Sequence, residues 1–357
     1  MDRSTIDVYE ARASEWRDRR SARFAERAEQ FGASVPSDAM RADLGCGAGL
    51  YLPYLGRPVV ALDAARAMLE LTRGVASDAG LVQADVEALP LRRGSLGGAW
   101  ARATYLHIPR PRLPAALAEL HQALRVGAPF HLTMRLGDDD GPLADDDFPG
   151  RYFAGWRPEP LRDVLVGAGF VVEELTEEFE GREWLHVSAA RARTLPDFVG
   201  PGLRVLVVGL NPSEYAAEAG VGFARPGNRF WPAAVTAGLV SRDRDPRHAL
   251  HHHQVGMTDL VKRATPGAAT LTGEEYRDGL ERVGRLVGWL RPRVVCFVGL
   301  TGWRAARDPK AVAGVQAERF EGVAAYVMPN TSGVNAHASL DDFVNHFRVV
   351  QRLADDG

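Results

Sequence analysis

The chain has 357 residues, of which 46% are hydrophobic and 25% are charged, and its net charge at pH 7 is −3. This length is typical of two domains that each bury a core, and the composition is that of a globular protein. No apolar run reaches the ~18 residues that a membrane span needs, and the charged residues 1–30 do not resemble a signal peptide, so we expect no membrane association and no export.

The two cysteines, Cys46 and Cys296, stand in apolar, strand-like sequence. Two cysteines cannot build a zinc or iron–sulfur site alone, so we interpret both as small buried residues and expect no metal. The first 193 residues carry a net charge of −5 and the remainder +2. This asymmetry permits nucleic-acid binding by the second half but does not require it.

In the first half, short apolar runs alternate with helical patterns, which predicts a parallel sheet with helices on both faces. The predicted strands are Met40–Leu44, Val59–Asp63, Leu81–Asp85, Ala99–His107, Phe130–Leu136, Phe170–Phe179 and Glu183–Ala190. The predicted helices are Ala64–Leu71, Leu113–Leu124 and Pro158–Ala168.

A second α/β series follows a predicted linker, Ala192–Gly202, which is marked by Pro and Gly. Its predicted strands are Leu203–Gly209, Gly256–Leu260, Arg293–Gly299 and Ala324–Met328. Its predicted helices are Asn228–Ala237, Gly273–Leu290 and Leu340–Leu353. The sequence therefore predicts an α/β protein with two doubly wound domains, residues 1–192 and 193–357.

A glycine-rich turn follows the strand that ends near Asp43 and contains Gly45, Gly47 and Gly49. Glycines allow positive φ and a close approach of the backbone to a ligand, as in dinucleotide-binding turns. The NAD fingerprint is G-x-G-x-x-G, which this spacing does not reproduce.

Acidic residues close the next two predicted strands. Asp63 could accept hydrogen bonds from two ribose hydroxyls, and Asp85, followed by Val86, could accept one from an adenine amino group. With the glycine turn, these acids make residues 40–136 similar to a class I S-adenosylmethionine-dependent methyltransferase. The resemblance implies a Rossmann-like sheet that binds S-adenosylmethionine through the glycine turn and the acids. A module that binds this cofactor as a sensor, without methyl transfer, is the alternative.

The methyl acceptor is not identified by the sequence. His107 could be a general base or a structural residue. The acidic runs Asp138–Asp140 and Asp145–Asp147 are expected near the rim of the site, where they would repel phosphate. Residues 101–109 carry no Pro-Pro-aromatic motif, and neither cysteine is placed as a nucleophile. We therefore predict that the acceptor is not a DNA base.

In the second half, two strand-to-loop motifs are expected at one edge of the sheet. One strand runs into Gly209-Leu210-Asn211, with Phe223 twelve residues after Asn211, and a later strand runs into the loop Asn330–Val334. Because the carboxyl ends of parallel strands meet at one edge, these motifs predict a cleft.

These motifs resemble the mismatch-specific uracil/thymine branch of the uracil-DNA glycosylase superfamily, from Arg193 to Leu353. The resemblance implies a parallel-sheet sandwich that acts, without a cofactor, on duplex DNA with a flipped base. Phe223 would stack on the flipped base, and Asn211 would orient the attacking water. Backbone N–H groups near Leu210 and Asn228, beside Gly209, would bind the departing uracil anion.

The resemblance also gives roles to the later loops. The segment Pro329–Gly333, with Asn330, Ser332 and Gly333, would clamp phosphate, and Val334 would fill the vacated stack. Asp259 could help to activate water or stabilise positive charge on the sugar, or it could cap a helix.

Neither Lys262 nor Lys310 lies in a motif, so we expect no Schiff-base strand cleavage. We interpret His251–His253 as a polar helix end. We expect a monomeric fusion of the two enzymes in the bacterial cytoplasm or nucleoid.

Overall fold

The computed structural model describes residues 1–179 and 183–356. Contacts between Cα atoms divide it into two compact units, Met1–Val166 with Phe170–Ala192, and Gly167–Gly169 with the chain from Arg193 onward. Each unit is built on its own sheet. In the described ranges, no helix is both long and apolar enough to cross a membrane.

The first unit alternates strands and helices along much of its length. Its strands are β1 Arg41–Leu44, β2 Val59–Asp63, β3 Gly80–Gln83, β4 Gly98–Arg102, β5 Pro129–Leu136, β6 Asp140–Pro142, β7 Tyr152–Trp156, β8 Phe170–Phe179 and β9 Glu183–Arg191. Its helices are α1 Arg3–Asp18, α2 Ala25–Ser34, α3 Arg66–Val75, α4 Leu113–Ala123 and α5 Pro158–Gly167.

Strands β3, β2, β1, β4 and β5 lie side by side and are parallel. Strand β9 pairs antiparallel with β5 and β8 antiparallel with β9, while β7 and β6 continue from the end of β5. Strand β1 is buried along its whole length, as a strand covered on both faces must be. The carboxyl ends of β1, β2 and β4 meet at one edge of this sheet.

Two predicted strands of this half extend too far. The predicted strand Ala99–His107 stops at Arg102, because Ala103 adopts a positive φ of 55° and a 3₁₀ turn follows at Tyr105–His107. The Thr104 hydroxyl fixes this turn by donating to the Leu44 carbonyl at 2.7 Å. The predicted strand Leu81–Asp85 is shifted to Gly80–Gln83 and releases Asp85 into the following turn.

The second unit repeats the alternation of strands and helices. Its strands are β10 Val205–Gly209, β11 Val255–Asp259, β12 Val294–Val298, β13 Gly314–Val315 and β14 Ala324–Met328. Its helices are α6 Glu214–Ala219, α7 Phe230–Thr236, α8 Pro246–His253, α9 Gly273–Leu290, α10 Leu300–Ala306 and α11 Leu340–Asp356.

Strands β11, β10, β12 and β14 are parallel in that order, and β13 adds an antiparallel edge. One face of the sheet packs against helices α7 and α11, whose Phe230, Trp231, Phe343 and Phe347 are fully buried. In the register of β10 and β11, Gly209 lies opposite Asp259, so both stand at the carboxyl edge. The predicted α/β class with two doubly wound sheets is confirmed.

The segment predicted as a linker, Ala192–Gly202, is not free chain. Phe198 exchanges two backbone hydrogen bonds of 2.9 Å with Met257 of β11. The side chains of Leu195, Asp197 and Val199 are buried. The Pro and Gly residues suggested a loop, but the apolar residues between them make residues 194–199 part of the second unit.

Candidate active sites

The first unit contains a cavity of about 450 Å³ at the carboxyl edge of its sheet. Four residues that the sequence predicted for the cofactor line it together, namely Asp43, Gly45, Gly47 and Asp63. The other three, Gly49, Asp85 and Val86, are not among the lining residues.

The glycine turn is held against the end of β2. Gly45 and Cys46 both donate their N–H to the Leu62 carbonyl, at 2.8 and 2.9 Å. Gly45 has a φ of +68°, and a Cβ there would lie 2.3 Å from the Thr104 hydroxyl, so no larger residue fits. Asp63 accepts the Gly47 and Ala65 N–H groups, each at 2.9 Å, one on each carboxyl oxygen.

The carboxyl of Asp43 fits a ligand with hydrogen-bond donors. It is buried, and its Oδ2 atom finds no hydrogen-bond partner in the described part of the chain. Burial, followed by the nearby charge of Asp63, raises the pKa of Asp43 to about 8. Burial also raises the pKa of Asp63 to about 6, against the backbone hydrogen bonds that favour its ionised form. A donor from a bound molecule would satisfy the Asp43 oxygen, so these residues fit a polar cofactor.

Asp85 is engaged elsewhere. The N-terminal ammonium of Met1 donates to both of its carboxyl oxygens, at 2.8 and 2.7 Å, and also contacts Glu87. Met1 lines the cavity and Asp85 does not, so Met1 lies between Asp85 and the cavity. The adenine contact of Asp85 stays a prediction.

His107 lines the cavity as part of a hydrogen-bonded chain. Its Nδ1 lies 2.6 Å from the Tyr152 carbonyl, so Nδ1 carries the proton, and its Nε2 accepts the Tyr9 hydroxyl at 2.9 Å. The Tyr9 oxygen in turn accepts Arg151 Nη1 at 2.9 Å. Burial lowers the pKa of His107 to about 3. Because both ring nitrogens are bound and the ring resists protonation, the arrangement favours the structural interpretation of His107.

Arginines pair with four of the six acids expected at the rim, Asp138–Asp140 and Asp145–Asp147. Arg151 binds Asp146 and Asp147, and Arg20 binds Asp147. Outside the cavity wall, Arg157 binds Asp138 and Arg135 binds Asp139. Of these acids, Asp147 is the one that lines the cavity, together with the arginines at positions 19, 20, 23, 102 and 151. The expectation of a phosphate-repelling rim is therefore wrong, since the sequence did not show which arginines fold over the acids.

In the second unit, Asn211 is fixed in one orientation. Its Nδ2 donates to the Pro212 and Arg263 carbonyls, both at 3.1 Å, and to Thr265 Oγ1 at 2.8 Å. The Thr265 hydroxyl donates its proton to the Gly267 carbonyl at 3.0 Å, so its oxygen must be the acceptor in the contact with Asn211. Three acceptors around one amide atom identify that atom as the NH₂ group. The amide oxygen, for which the described residues provide no donor, is left to accept a hydrogen bond.

Asp259 ends β11 beside the Asn211 turn. Its carboxyl lies directly against Gly209, where a Cβ would come within 2.3 Å of Oδ1. Burial raises the pKa of Asp259 to about 6. The helix-cap interpretation is wrong, because the chain continues from Asp259 through a loop and α9 begins only at Gly273.

Phe223 packs its ring on Phe230, with centroids 4.1 Å apart and planes 10° from parallel. Its φ of +57° is a left-handed conformation that a bulky residue adopts only when its surroundings impose it. The edge of the ring also points to Gly209, whose ideal Cβ position lies 3.3 Å from Cζ. Gly209 therefore lies against both Phe223 and Asp259.

The predicted anion donor at Asn228 is already used. Its N–H donates to the Arg225 carbonyl at 3.0 Å, and its side-chain oxygen accepts the Phe230 N–H at 2.9 Å. Asn228 thus shapes the turn into α7 and offers no free backbone donor in this structure. Leu210, on the other side, contributes its carbonyl to Val261 N at 2.9 Å.

The loop from Asn330 to Val334 meets the loop before α7. A Cβ on Gly333 would come within 2.8 Å of the Gly227 carbonyl oxygen, so the two backbones approach as closely as glycine allows. The Asn330 side chain accepts the Ser332 N–H at 2.8 Å and tightens the turn. Val334 projects from it with 92% of its surface exposed.

Sequence reasoning missed two residues that build this site. Thr265 orients Asn211 but lies in no recognisable motif. Arg229 donates to the carbonyls of Ser332 and Asn335, at 2.9 and 2.6 Å, and also to that of Ala338. Its position directly after Asn228, a predicted site residue, was a signal that could have pointed to it.

The triple histidine ends a helix, as predicted. Helix α8 ends at His253, whose Nε2 accepts the Ser241 N–H at 3.1 Å. Within residues 1–179 and 183–356, no group of three His, Cys, Asp or Glu side chains is placed to hold a metal ion.

Comparison with known proteins assigns a family to each half. Residues 42–132 match the family described as a methyltransferase domain, and residues 196–353 match the uracil DNA glycosylase superfamily.

Several solved structures are also similar to the chain. The 1,6-didemethyltoxoflavin-N1-methyltransferase of Burkholderia thailandensis is 20% identical over 52% of this chain and 85% of its own, with a TM-score of 0.42. An S-adenosylmethionine-dependent methyltransferase of Methanosarcina mazei is 14% identical over 46% of this chain and 97% of its own, with a TM-score of 0.41. One from Mesorhizobium loti is 19% identical over 46% of this chain and 98% of its own, with a TM-score of 0.38. The family comparisons thus find a methyltransferase domain in the first half of the chain and a uracil DNA glycosylase superfamily domain in the second half.

Proposed function

We propose that the second half is a monofunctional DNA glycosylase that hydrolyses the N-glycosidic bond of uracil, or of thymine, in mismatched duplex DNA. The observation that carries this proposal is the fixed amide of Asn211, whose oxygen is left as an acceptor two residues after Gly209, which Phe223 and Asp259 contact. The proposal places this step in base-excision repair, with the protein acting as a monomer in the cytoplasm or nucleoid.

In this mechanism the Asn211 oxygen accepts a hydrogen bond from a water and aims the water oxygen at C1′ of the flipped nucleotide. An amide is a poor base, so the group contributes orientation more than proton transfer. The glycosidic bond breaks with its electron pair going to the base, and the sugar becomes positively charged. The water oxygen then bonds to C1′ and loses a proton to the departing base anion or to bulk water, which leaves a neutral base and an abasic sugar. The Asp259 carboxylate stabilises that positive charge when it is ionised.

Other side chains hold the substrate in place. Phe223, backed by Phe230, gives the flipped base a rigid stacking surface. Val334, exposed on a loop that Arg229 holds, would fill the gap that the base leaves in the duplex. Lys262 is bound to Asp197 at 2.8 Å and does not serve as a nucleophile, so the product is an intact abasic site.

A panel of duplexes, each with a single lesion, tests the proposal. The full chain, incubated with G·U, G·T and A·U duplexes, should give strand breaks after alkali, fastest with G·U. Breaks that form without alkali would contradict the monofunctional mechanism. No excision from any of the duplexes would contradict the enzyme assignment.

We further propose that the first half binds S-adenosylmethionine and transfers its methyl group to an acceptor other than a DNA base. The cofactor supplies an electrophilic methyl group on a sulfonium. Asp63 would hold the ribose hydroxyls, Gly45 and Gly47 would let the backbone approach, and the unpartnered Asp43 oxygen would accept a donor of the cofactor. The absence of a Pro-Pro-aromatic motif and of a placed cysteine still supports the exclusion of a DNA base.

Calorimetry with S-adenosylmethionine tests this site. Wild type should bind, and Asp63→Ala should weaken binding several-fold to hundreds-fold, because charged hydrogen bonds contribute about 1–3 kcal/mol. Asp78→Ala, at an exposed acid paired with Arg57, is the matched control. Equal affinity in wild type and Asp63→Ala would show that the site lies elsewhere. Formation of S-adenosylhomocysteine with a cell extract would separate a methyltransferase from a sensor module.

A further inference from the structure

A buried cluster of charges contacts the end of β11 at Thr258 and Asp259. Asp197 accepts Lys262 Nζ on one oxygen at 2.8 Å and Arg282 Nη1 on the other at 2.9 Å. The side chains of Asp197, Lys262 and Arg282 are only 3%, 12% and 8% exposed. Although burial alone would raise the pKa of Asp197, the two cations lower it, so this carboxyl stays ionised.

The same cluster is tied to Asp259. Arg282 Nη2 donates to the Asp259 carbonyl at 2.8 Å and to Thr258 Oγ1 at 3.0 Å, and Thr258 donates to Asp197 at 2.6 Å. The charged groups that act on Asp259 are Lys262 on its own loop, Arg282 on α9 and Asp197 before β10. One carboxylate shared by two cations leaves one positive charge uncompensated, and an ionised Asp259 balances it.

We propose that Lys262, held in place by Asp197, is a positioning residue that keeps the Asp259 carboxyl ionised in the base pocket near neutral pH. This inference rests on the proposed glycosylase function only for its consequence in catalysis. Burial favours the protonated, neutral form of Asp259, and the positive charges of Lys262 and Arg282 favour its ionised form. The positive charges of Lys262 and Arg282 therefore lower a pKa of Asp259 that burial raises.

The test is the titration of the Asp259 carboxyl, followed by NMR of the full chain with ¹³C-labelled aspartate and assigned with Asp259→Asn. Wild type should titrate near a pKa of about 6. Lys262→Met should shift the midpoint upward on the order of one pH unit, because an opposite charge is lost. Asp197→Asn keeps a side-chain oxygen that accepts from Lys262 but removes a like charge, so it should shift the midpoint downward. A purely structural effect of the cluster would not move the midpoint in opposite directions.

Matched variants control for folding. Lys262→Arg keeps the charge and should keep the wild-type midpoint, and Lys310→Met removes the chain's other lysine, which is exposed. If Lys262→Met does not fold, Lys262→Gln keeps a donor for Asp197 and carries the same expectation. Midpoints that stay unmoved, or that move in the same direction in the Lys262 and Asp197 variants, would overturn the proposal.

Single-turnover excision from a G·U duplex gives the catalytic readout. In each variant, the pH at which the excision rate falls to half on the acid side should match the midpoint of the Asp259 titration measured by NMR. If wild type excises nothing, the proposed function fails while the titration still decides the inference. If excision occurs with an acid limb that does not follow the titration, Asp259 ionisation does not serve catalysis and Lys262 has no role in it.

Discussion

Thr265 is the residue on which the orientation of the Asn211 amide depends most directly. Its hydroxyl donates to the Gly267 carbonyl and accepts from Asn211 Nδ2, and this last contact is the shortest of the three that the Nδ2 atom makes. Thr265→Val keeps the shape and removes the acceptor, so the amide can turn and present NH₂ to the water. We expect the single-turnover excision rate to fall about tenfold, in line with the loss of one oriented contact.

Two further variants make this prediction specific. Thr265→Ser keeps the hydroxyl and should retain most of the rate, while Thr301→Val, on the exposed side of α10, should change nothing. A Thr265→Val enzyme as fast as wild type would show that the backbone carbonyls of Pro212 and Arg263 hold the amide without help.

Asp43 makes the stability of the protein depend on pH. Its ordinary pKa is 3.8 and its folded pKa is about 8, so between these values the folded chain binds more protons than the unfolded chain. Stability contributed by this group is therefore present at low pH and lost as pH rises through that window. Asp43→Asn, neutral throughout, should melt at an increasingly higher temperature than wild type as pH rises from 5 to 9. A difference in melting temperature that does not change with pH would contradict the buried, unpaired carboxyl.

At this scale, the sequence predicted positions that follow from a strand end. Asp63 and Asp259 end their strands, and Asn211 lies in the turn directly after β10, as the strand-to-loop patterns predicted. It could not predict Thr265, because its importance comes from a contact with a residue 54 positions away. The position of Arg229 beside Asn228 could have drawn attention to it, but its contacts lie about a hundred positions away and are not visible in the sequence.

Among the structural elements, the loop Asn330–Val334 depends on one glycine. A Cβ at Gly333 would meet the Gly227 carbonyl at 2.8 Å, and because that neighbour is backbone, a loop must move. Gly333→Ala should therefore weaken binding of a duplex with an abasic-site analogue, by about tenfold or more in a titration, while the melting temperature changes little. Gly288→Ala, on α9 with open space around it, is the control. Unchanged binding would mean that this loop does not contact DNA.

The segment 194–199 makes a second prediction about elements. It carries Asp197, which binds Lys262 and Arg282, and Phe198, which pairs with β11. A fragment that begins at Arg193 should fold and excise uracil, whereas one that begins at Arg204 should melt at a lower temperature and lose most activity. Equal stability of the two fragments would show that the buried ion cluster contributes nothing to folding. If the fragment that begins at Arg193 excises uracil at the same rate with and without S-adenosylmethionine, the two activities are separable.

Elements with long or strongly apolar patterns were predicted well, and short or irregular ones were not. The bounds of β8, α9 and β14 agree with the sequence, because period and composition both define them. Strands β6 and β13 have only three and two residues and depend on pairing that a local pattern cannot show. The end of β4 at Arg102 depends on the Thr104 contact with β1, which is also a tertiary effect.

For the molecule as a whole, each half is built on its own sheet, as its alternating pattern predicted, and one family match falls within each half. Charge was the less informative guide. The acidic runs of the first half are bound by arginines scattered over more than a hundred residues of sequence, so a count of charges gave the wrong character for the cavity rim.

The measurement that tests the account most directly is single-turnover excision of uracil from a G·U duplex by the full chain and by Asn211→Ala. Asn345→Ala, at an exposed asparagine of α11, is the control. Wild type and the control should leave an alkali-labile abasic site at the same rate. Asn211→Ala should be slower by ~10²-fold or more with DNA binding largely kept, because the oriented water and its preorganised contacts are lost together. An Asn211→Ala enzyme with a near-normal rate would contradict the account and move the catalytic role to Asp259.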